Sequence, residues 1–234
     1  NIQFNLLNDK VIAVSNAVRK VYSANPQDTF YETVYAPFDH TLFKSCYFGF
    51  QHTKVTLGTV GSLVGQKGLF YLLHAMKNLR QYRHDIYLKV IGDGPLKSEL
   101  EAFCSRYHLE PYVGLFGHLP HDANLYKDID LYIQPSVSEG CSITLLEAMG
   151  TGIPVIASNI DGPRELIIPH QTGLLVTPKN VEALTDAIVE LIENKEKAFR
   201  LGRAGQKRAA ENFSAVHFIG KMSRIYQELC RHEA

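Results

Sequence analysis

Residues 136–158 read S-V-S-E-G-C-S-I-T-L-L-E-A-M-G-T-G-I-P-V-I-A-S, and this stretch decides the fold of the chain. The apolar run before it, residues 130–134, has the composition of a buried strand. Residues 142–149 are good helix formers, and the glycines and proline within 150–154 predict the end of that helix. Residues 155–157 are apolar again. The predicted order is therefore strand, loop, helix, strand, as in a parallel sheet.

The loop between this strand and this helix carries groups that suit a sugar nucleotide. At the carboxyl edge of a parallel sheet, the helix behind the loop points unpaired N–H groups and a positive dipole end into the crevice, which suits a phosphate. Two carboxylates, Glu139 and Glu147, lie eight positions apart and flank the helix start. Carboxylates repel phosphate but accept hydrogen bonds from the hydroxyls of a vicinal diol. A sugar and a ribose joined by a diphosphate fit this pattern.

A structural interpretation of the same residues is also open. Thr144 and Glu147 have the spacing of a capping box, in which Glu147 would accept a hydrogen bond from the backbone N–H of Thr144. Glu139 would then be a solvated acid in the loop. Spacing alone does not decide between the two interpretations.

The run from Glu139 to Val155 resembles the signature of family 4 glycosyltransferases, which are retaining enzymes of GT-B fold. That signature has two glutamates eight positions apart, then Ala-Met, then Gly-Ile/Leu-Pro-Val, and the similarity extends over nearly the whole chain. The resemblance implies transfer of a hexose from a nucleoside diphosphate sugar to an acceptor hydroxyl with retained anomeric configuration. It implies no cofactor other than this donor substrate and no required metal.

The resemblance also implies roles for individual residues. Glu147 would hold the ribose hydroxyls of the donor. Glu139 and Lys67 are the implied catalytic residues, because Glu139 would contact the donor sugar and Lys67 would stabilise the charge that grows on the departing diphosphate. Further contacts with the sugar and diphosphate are implied at Ser62, Gly140, Cys141, Ser142, Thr144 and Leu145. The implied base pocket contains Gly92, Gly117 and His118.

The turn that carries Lys67 departs from the family pattern. Residues 61–68 read G-S-L-V-G-Q-K-G, a glycine-rich turn whose backbone N–H groups suit phosphate. The family has Gly-Arg-Leu and then Lys-Gly here, so Lys67 and Gly68 match, but Ser62 stands in place of the arginine. A serine can hydrogen-bond a phosphate but brings no charge. Taken alone, a lysine at this position is more often a surface residue than a phosphate ligand.

Three functions are compatible with these residues. The first is the donor-binding half of a transferase, inactive without its acceptor domain. The second is a module that binds nucleotide sugar without transferring it, which the uncharged Ser62 favours. The third, a dinucleotide-dependent oxidoreductase, requires a G-x-G-x-x-G turn and a ribose-binding acid about twenty residues later, and neither is found.

Composition narrows the class of protein. The 234 residues include 24 basic and 24 acidic side chains, a balance that argues against nucleic acid as a partner. From Lys195 onward there are nine basic and four acidic residues, so this tail either contacts anionic lipid peripherally or forms the solvated face of a helix pair. No apolar run approaches the roughly 18 residues of a membrane span. Four cysteines without paired or metal-ligand spacing favour a reducing compartment, here the cytoplasm or the inner face of a membrane.

The rest of the chain predicts alternating strands and helices, hence an α/β fold with a doubly wound, Rossmann-like parallel sheet, the carboxyl-terminal half of a GT-B enzyme. Ser15 and Asn180 are predicted helix N-caps. Pro95 is predicted at the first position of a helix. Glu165 is predicted to have a structural role within a turn at 159–167. Further strands are predicted at 11–14, 32–35, 54–61, 86–91, 112–116 and 172–176. Further helices are predicted at 16–22, 96–107, 195–211 and 214–230, and after residues 68 and 180.

The expected domain organisation follows the resemblance. Residues 1–36 would be the end of an amino-terminal acceptor domain, most of which would lie outside this sequence. Residues 37–53 would be the linker, where Asp39 and Phe43 resemble the family's interdomain crossing. The donor domain would be 54–212, and a final helix at 213–234 would cross back. The expected partners are a nucleotide-sugar donor and, through the missing domain, a glycan or lipid acceptor.

Overall fold

The computed structural model describes residues 10–23, 25, 28, 30–39, 43, 49–50 and 53–232. Most of the predicted linker, including Cys46, lies outside the described residues. The first described elements form a small unit of strand β1 (Val11–Ala13), helix α1 (Asn16–Tyr22) and strand β2 (Tyr31–Thr33), in which the two strands are parallel. Ser15 caps α1 as predicted, because its side chain accepts a hydrogen bond from the Val18 N–H at 3.1 Å.

Six parallel strands form the main sheet, and their order is β5-β4-β3-β6-β7-β8. They are β3 (Val55–Val60), β4 (Ile86–Ile91), β5 (Val113–Leu115), β6 (Leu131–Gln134), β7 (Val155–Ser158) and β8 (Leu174–Val176). Chain order reverses between β3 and β6, which are neighbours in the sheet although β4 and β5 come between them in sequence. The predicted doubly wound α/β fold is confirmed.

Seven helices accompany this sheet in the described part of the chain. They are α2 (Leu69–Leu79), α3 (Lys97–Arg106), α4 (Ile143–Thr151), α5 (Asp161–Leu166), α6 (Val181–Glu193), α7 (Lys195–Asn212) and α8 (Ala215–His232), with short 3-10 turns at Gly65–Lys67 and Ala123–Tyr126. Asn180 caps α6 as predicted, since its Oδ1 accepts from the Ala183 N–H at 2.8 Å.

Both faces of the sheet are covered by apolar side chains. Along β6, Leu131 and Ile133 belong to one hydrophobic cluster, whereas Tyr132 between them belongs to the cluster on the opposite face. All four residues of β6 and of β7 are buried. Parallel strands covered by helices on both faces are expected to have this composition, which is why these strands read as continuous apolar runs.

Three local details differ from what the sequence predicts. Helix α4 continues through Gly150 and ends only at Gly152, whose φ of 87° is the left-handed conformation of a terminating glycine. Gly150 is instead required by packing, because a Cβ there would lie 2.3 Å from the Phe38 ring. Pro95 precedes the N-cap of α3, Leu96, and is therefore outside the helix. The predicted turn at 159–167 contains the short helix α5.

Hydrogen bonds to Glu165 on α5 connect the small unit to the main sheet. Its carboxylate accepts hydrogen bonds from the backbone N–H groups of Asn16 and Ala17 at 2.9 and 2.6 Å, and from the Tyr35 hydroxyl at 2.7 Å. A carboxylate at the amino end of α1 satisfies N–H groups that have no partner inside the helix. The predicted structural role of Glu165 is therefore confirmed.

Helix α8 reaches the same small unit. The Lys221 ammonium donates to the Thr33 carbonyl oxygen at 2.6 Å. On the outer side of α8, Val216, Ile219 and Tyr226 are 60–71% exposed. The expected crossing of the final helix and the domain boundaries at 36, 53 and 212 stay predictions.

Candidate functional site

The candidate site lies where the chain order of the sheet reverses, between the carboxyl ends of β3 and β6. Ligands of doubly wound sheets bind outside the strand ends at this position. The loops after the two strands, residues 61–68 and 135–142, contact each other there. The Val137 N–H donates to the Gln66 carbonyl oxygen at 2.8 Å. The loops approach so closely that a Cβ at Gly68 would lie 2.1 Å from the Pro135 carbonyl oxygen.

Lys67 and Glu139 meet across these two loops. Lys67 Nζ lies 2.5 Å from Glu139 Oε2, and the two side chains are 27% and 13% exposed. Partial shielding from water strengthens the Coulombic attraction between the two charges, although each charge also loses part of its hydration. The stem of Lys67 passes beside Gly61, where a Cβ would lie 3.6 Å from Lys67 Cε. The fold thus brings together the two predicted catalytic residues.

The amino end of α4 faces the same crevice and is capped by Ser142. Ser142 Oγ accepts from the Leu145 N–H at 3.3 Å and donates to Gln134 Oε1 at 2.6 Å. Thr144 is the second residue of the helix, and its Oγ1 accepts from the Tyr132 hydroxyl at 3.0 Å. The capping-box interpretation of Thr144 is therefore wrong, because the extended backbone that a cap requires occurs two residues earlier. The Leu145 N–H, an implied diphosphate donor, is already partnered by the cap.

Glu147 is buried beneath the helix end, with 2% of its side chain exposed. Its Oε2 accepts from the Tyr126 hydroxyl at 2.6 Å, and its Oε1 accepts from His121 Nε2 at 2.8 Å. Burial raises the pKa of Glu147, and the hydrogen bonds from Tyr126 and His121 oppose that rise by favouring the charged form.

Sequence reasoning missed both partners of Glu147. Tyr126 ends a 3-10 turn and His121 lies in the loop before it, and neither segment has a periodic pattern that would mark its residues. Their position was the only available signal: residues 121–126 come shortly before β6, the strand that leads into the run from Glu139 to Val155.

Two further polar atoms point to a ligand at the end of β6. Gln134 Nε2 and Ser136 Oγ are buried and have no hydrogen-bond partner among the residues that the structure describes. Both residues line the crevice together with Ser62 and Lys67. A buried polar group without a partner costs about 1–3 kcal/mol. Two such groups beside a lysine provide N–H and O–H donors that an anionic or hydroxylated ligand could use.

Two of the three residues predicted to border the base, Gly92 and Gly117, lie together at the neighbouring strand ends. The Gly92 N–H donates to the Gly117 carbonyl oxygen at 2.7 Å, which ties the end of β4 to the end of β5. Gly92 has a φ of 135°, and a Cβ there would lie 2.0 Å from the Gly61 carbonyl oxygen. Only glycine fits this position. His118 is exposed to solvent, one residue further along.

The loop that carries Glu139 is seated between α1 and α5. A Cβ at Gly140 would lie 2.9 Å from Val18 Cγ2, and one at Gly162 would lie 2.5 Å from the Glu139 carbonyl oxygen. Cys141 is a free thiol whose pKa is raised by burial. The predicted sugar-contact residues Gly140 and Cys141 therefore lie on the side of the crevice that faces the small unit.

Residues 47–208 match the family of glycosyl transferases group 1. The chain belongs to this family. It is 33% identical over 172 residues to the uncharacterized glycosyltransferase MJ1178 of Methanocaldococcus jannaschii, covering 73% of this chain and 47% of that protein. It is 28% identical over 202 residues to the lipopolysaccharide core biosynthesis mannosyltransferase LpsB of Rhizobium meliloti, covering 83% and 57%. The chain thus spans about half the length of the curated relatives it matches.

Solved structures show the same fold. Anabaena HepE in complex with UDP-glucose superposes with a TM-score of 0.84 at 22% identity, over 96% of this chain and 65% of that one. Sucrose-phosphate synthase from Thermosynechococcus elongatus superposes with a TM-score of 0.82 at 24% identity, over 96% and 59%. The family assignment leaves no support for an oxidoreductase.

The described residues contain neither a membrane-spanning helix nor a metal-binding cluster. No helix there combines the length and apolar character that crossing a bilayer requires. No group of three or more His, Cys, Asp or Glu side chains in the same residues is arranged to hold a metal ion.

Proposed function

We propose that this chain is the donor-binding half of a retaining glycosyltransferase of family 4, which transfers a hexose from a nucleoside diphosphate sugar to an acceptor hydroxyl. The observation that carries the proposal is the meeting of Lys67, Glu139 and the amino end of α4 at the point where the sheet order reverses. A cation, an acceptor of hydroxyl hydrogen bonds and a helix dipole at one crevice match the parts of a sugar nucleotide.

The diphosphate would lie against Lys67 and the amino end of α4, with the hydroxyl of Ser62 as a further donor. The unpartnered donors of Gln134 and Ser136 would complete this surface. Oriented donors of this kind stabilise the charge that develops on a departing diphosphate, and that phosphate would itself assist the incoming hydroxyl. When the diphosphate binds the Lys67 ammonium in place of Glu139, the Glu139 carboxylate would be free to accept a hydrogen bond from the donor sugar.

The nucleoside would extend from the diphosphate toward the ends of β4 and β5. Glu147 would accept hydrogen bonds from the ribose hydroxyls, and Gly92, Gly117 and His118 would border the base. A UDP-sugar is the first donor to test, because the HepE structure of the same fold contains UDP-glucose.

The acceptor would be a glycan or a lipid, bound by residues beyond this chain. The relative LpsB is a mannosyltransferase of lipopolysaccharide core biosynthesis, which supports a role in glycan assembly. Such an enzyme would work in the cytoplasm or at the inner face of a membrane, where the basic tail after Lys195 would contact anionic lipid.

A second candidate is a module that binds nucleotide sugar without transferring it. It is favoured by Ser62, which leaves Lys67 without the second cation of the family pattern, and by the ion pair that Lys67 forms with Glu139.

Turnover assays separate the two candidates. The protein that contains this chain together with its amino-terminal half would be incubated with UDP-glucose, GDP-mannose and an acceptor alcohol, and nucleoside diphosphate release and the product anomer would be followed by NMR. Transfer with retained configuration, lost in Glu139→Gln, supports the transferase. Binding without transfer supports the module, and an inverted product contradicts the retaining assignment.

A further inference from the structure

The Glu147 carboxylate is held by two protein partners of different kinds, and this difference bears on how it would meet a ribose. Tyr126 donates to Oε2 at 2.6 Å, and His121 Nε2 lies 2.8 Å from Oε1. With 2% of the Glu147 side chain exposed, these two contacts largely determine which way each oxygen faces.

Tyr126 is a fixed partner. Only 1% of the residue is exposed, and its hydroxyl also lies 3.1 Å from the Thr144 carbonyl oxygen in the first turn of α4. Its ring packs edge-on against Phe43, at a centroid distance of 5.6 Å, and lies 6.0 Å from the ring of Tyr132. A side chain enclosed on this many sides cannot turn away from Glu147 without opening the core.

His121 is an exchangeable partner. Its side chain is 57% exposed, and it belongs to the loop before the 3-10 turn rather than to a helix or strand. Its ring also packs in a T-shaped arrangement against Phe43, with the ring centroids 5.4 Å apart. An exposed imidazole can rotate into solvent and satisfy its nitrogens with water, so the Glu147 Oε1 that it holds lies on the accessible side of the carboxylate.

We propose that Tyr126 is a positioning residue for nucleotide binding, which fixes Glu147 Oε2 so that Oε1 faces the ribose, and that His121 is the partner that the ribose hydroxyls displace from Oε1. The inference rests on the proposed function, because it assumes that Glu147 binds ribose. It adds that ribose recognition depends on a buried phenol that does not touch the ligand, and that His121 competes with the ligand.

When the ribose replaces His121 at Glu147 Oε1, hydrogen bonds are both gained and lost. The complex gains hydrogen bonds from the ribose hydroxyls to Oε1 and loses the bond from His121 to the same atom. A charged acceptor makes each of these bonds stronger than a neutral one. Removing His121 should therefore strengthen binding of ligands that carry the diol and leave ligands without the diol unchanged. Removing the Tyr126 hydroxyl should weaken only the diol-bearing ligands, because the carboxylate can then rotate.

Calorimetric titration of the chain with a matched ligand pair tests both parts. The probes are UDP and 2′,3′-dideoxy-UDP, or the GDP or ADP pair if that base binds better. The proteins are the wild type, Tyr126→Phe, His121→Ala and the control Tyr112→Phe, whose hydroxyl contacts His84 at 3.2 Å, away from Glu147. Thermal unfolding of each variant checks that it is folded.

We expect wild type to prefer the ribonucleotide by about tenfold. Tyr126→Phe should reduce this preference to about threefold or less, with dideoxy affinity unchanged, and His121→Ala should raise ribonucleotide affinity by about threefold or more. Equal weakening of both ligands in Tyr126→Phe, or weaker ribonucleotide binding in His121→Ala, would overturn the inference while leaving the proposed function standing. If no nucleoside diphosphate binds the wild type, the proposed function and this inference both fall.

Discussion

Lys67 Nζ lies 2.5 Å from Glu139 Oε2, although 72 positions separate the two residues in the sequence. This ion pair joins the loop after β3 to the loop after β6. A sugar nucleotide would contact the two partners with different parts: its diphosphate would bind the Lys67 ammonium, and its sugar would bind the Glu139 carboxylate. The pair therefore makes opposite predictions for its two members.

Loss of the ammonium should weaken nucleotide binding. Lys67→Met should lower the affinity for a nucleoside diphosphate about tenfold or more, because a hydrogen bond to a charged group contributes about 1.5–3 kcal/mol. The measurement is calorimetric titration. Lys77→Met is the matched control on α2, since that ammonium lies 4.2 Å from the centre of the Tyr107 ring. Unchanged affinity in Lys67→Met would remove Lys67 from the diphosphate site.

Loss of the Glu139 charge should raise the affinity for nucleotide and lower the rate of transfer. Glu139→Gln frees Lys67 from its competing partner, so affinity for a nucleoside diphosphate without sugar should rise severalfold. Transfer by the longer protein should fall, because the contact with the donor sugar is weakened. The two quantities are measured by calorimetry and by product formation. A variant that loses nucleotide affinity would show that the carboxylate supports the diphosphate site rather than competing for it.

Ser136→Ala should change stability and binding in opposite directions. The hydroxyl is buried without a partner in the described structure, so its removal should raise the free energy of unfolding by up to about 1 kcal/mol. Nucleotide affinity should fall if the hydroxyl contacts the ligand. Ser142→Ala is the comparison, because it removes the N-cap of α4 and should lower the free energy of unfolding by about 1 kcal/mol. Denaturant unfolding checks both, and destabilisation by Ser136→Ala would contradict the assignment.

The raised pKa of Glu147 predicts a pH-dependent contribution to stability. Burial raises the pKa above the ordinary value of 4.5, so the folded chain takes up a proton at this carboxyl more readily than the unfolded chain. The protonated Glu147 carboxyl therefore adds to the stability of the fold below pH 4.5, and this contribution is lost as the pH rises through the pKa of Glu147 in the folded chain. The free energy of unfolding of wild type relative to Glu147→Gln should therefore fall from pH 4.5 upward, as measured by urea unfolding. A relative stability that grows over this range would contradict the assigned direction.

Glu165→Ala should loosen the small unit and leave the main sheet intact. Three hydrogen bonds from Asn16, Ala17 and Tyr35 end on this carboxylate. Hydrogen exchange followed by mass spectrometry should show faster exchange of the α1 amides and unchanged exchange in β6 and α4. Asp161→Ala is the control, because its contact with Arg164 is exposed and 3.5 Å long. Equal acceleration across the chain would mean that Glu165 stabilises the whole fold.

The main elements were predictable because their patterns are local. The run at 130–134 predicts β6, and the bounds of β4 agree residue for residue with the predicted 86–91. Ser15 and Asn180 were recognisable as caps because the cap and its partner lie three positions apart. Gly150 was misjudged because composition does not distinguish a glycine that ends a helix from one that admits a neighbouring ring. Only contact with Phe38 makes that distinction.

The site itself was predictable only in part. Spacing and resemblance identified Glu139, Glu147 and Lys67, but no pattern predicts that Glu139 and Lys67 pair, since the contact depends on how two distant loops pack. The partners of Glu147 were missed because a 3-10 turn and a loop present them. Contacts made across tertiary structure by irregular segments have no periodic signal in a sequence.

The central claim is that the crevice between β3 and β6 binds a nucleoside diphosphate with Glu147 at the ribose. The most direct test is calorimetric titration of the chain with UDP, GDP and ADP, repeated with Glu147→Ala and with Glu101→Ala on the exposed face of α3. We predict saturable one-to-one binding of one of these nucleotides, weakened at least tenfold, or about 1.4 kcal/mol, in Glu147→Ala and unchanged in Glu101→Ala. Absence of binding to all three, or equal binding by Glu147→Ala and wild type, would contradict the claim.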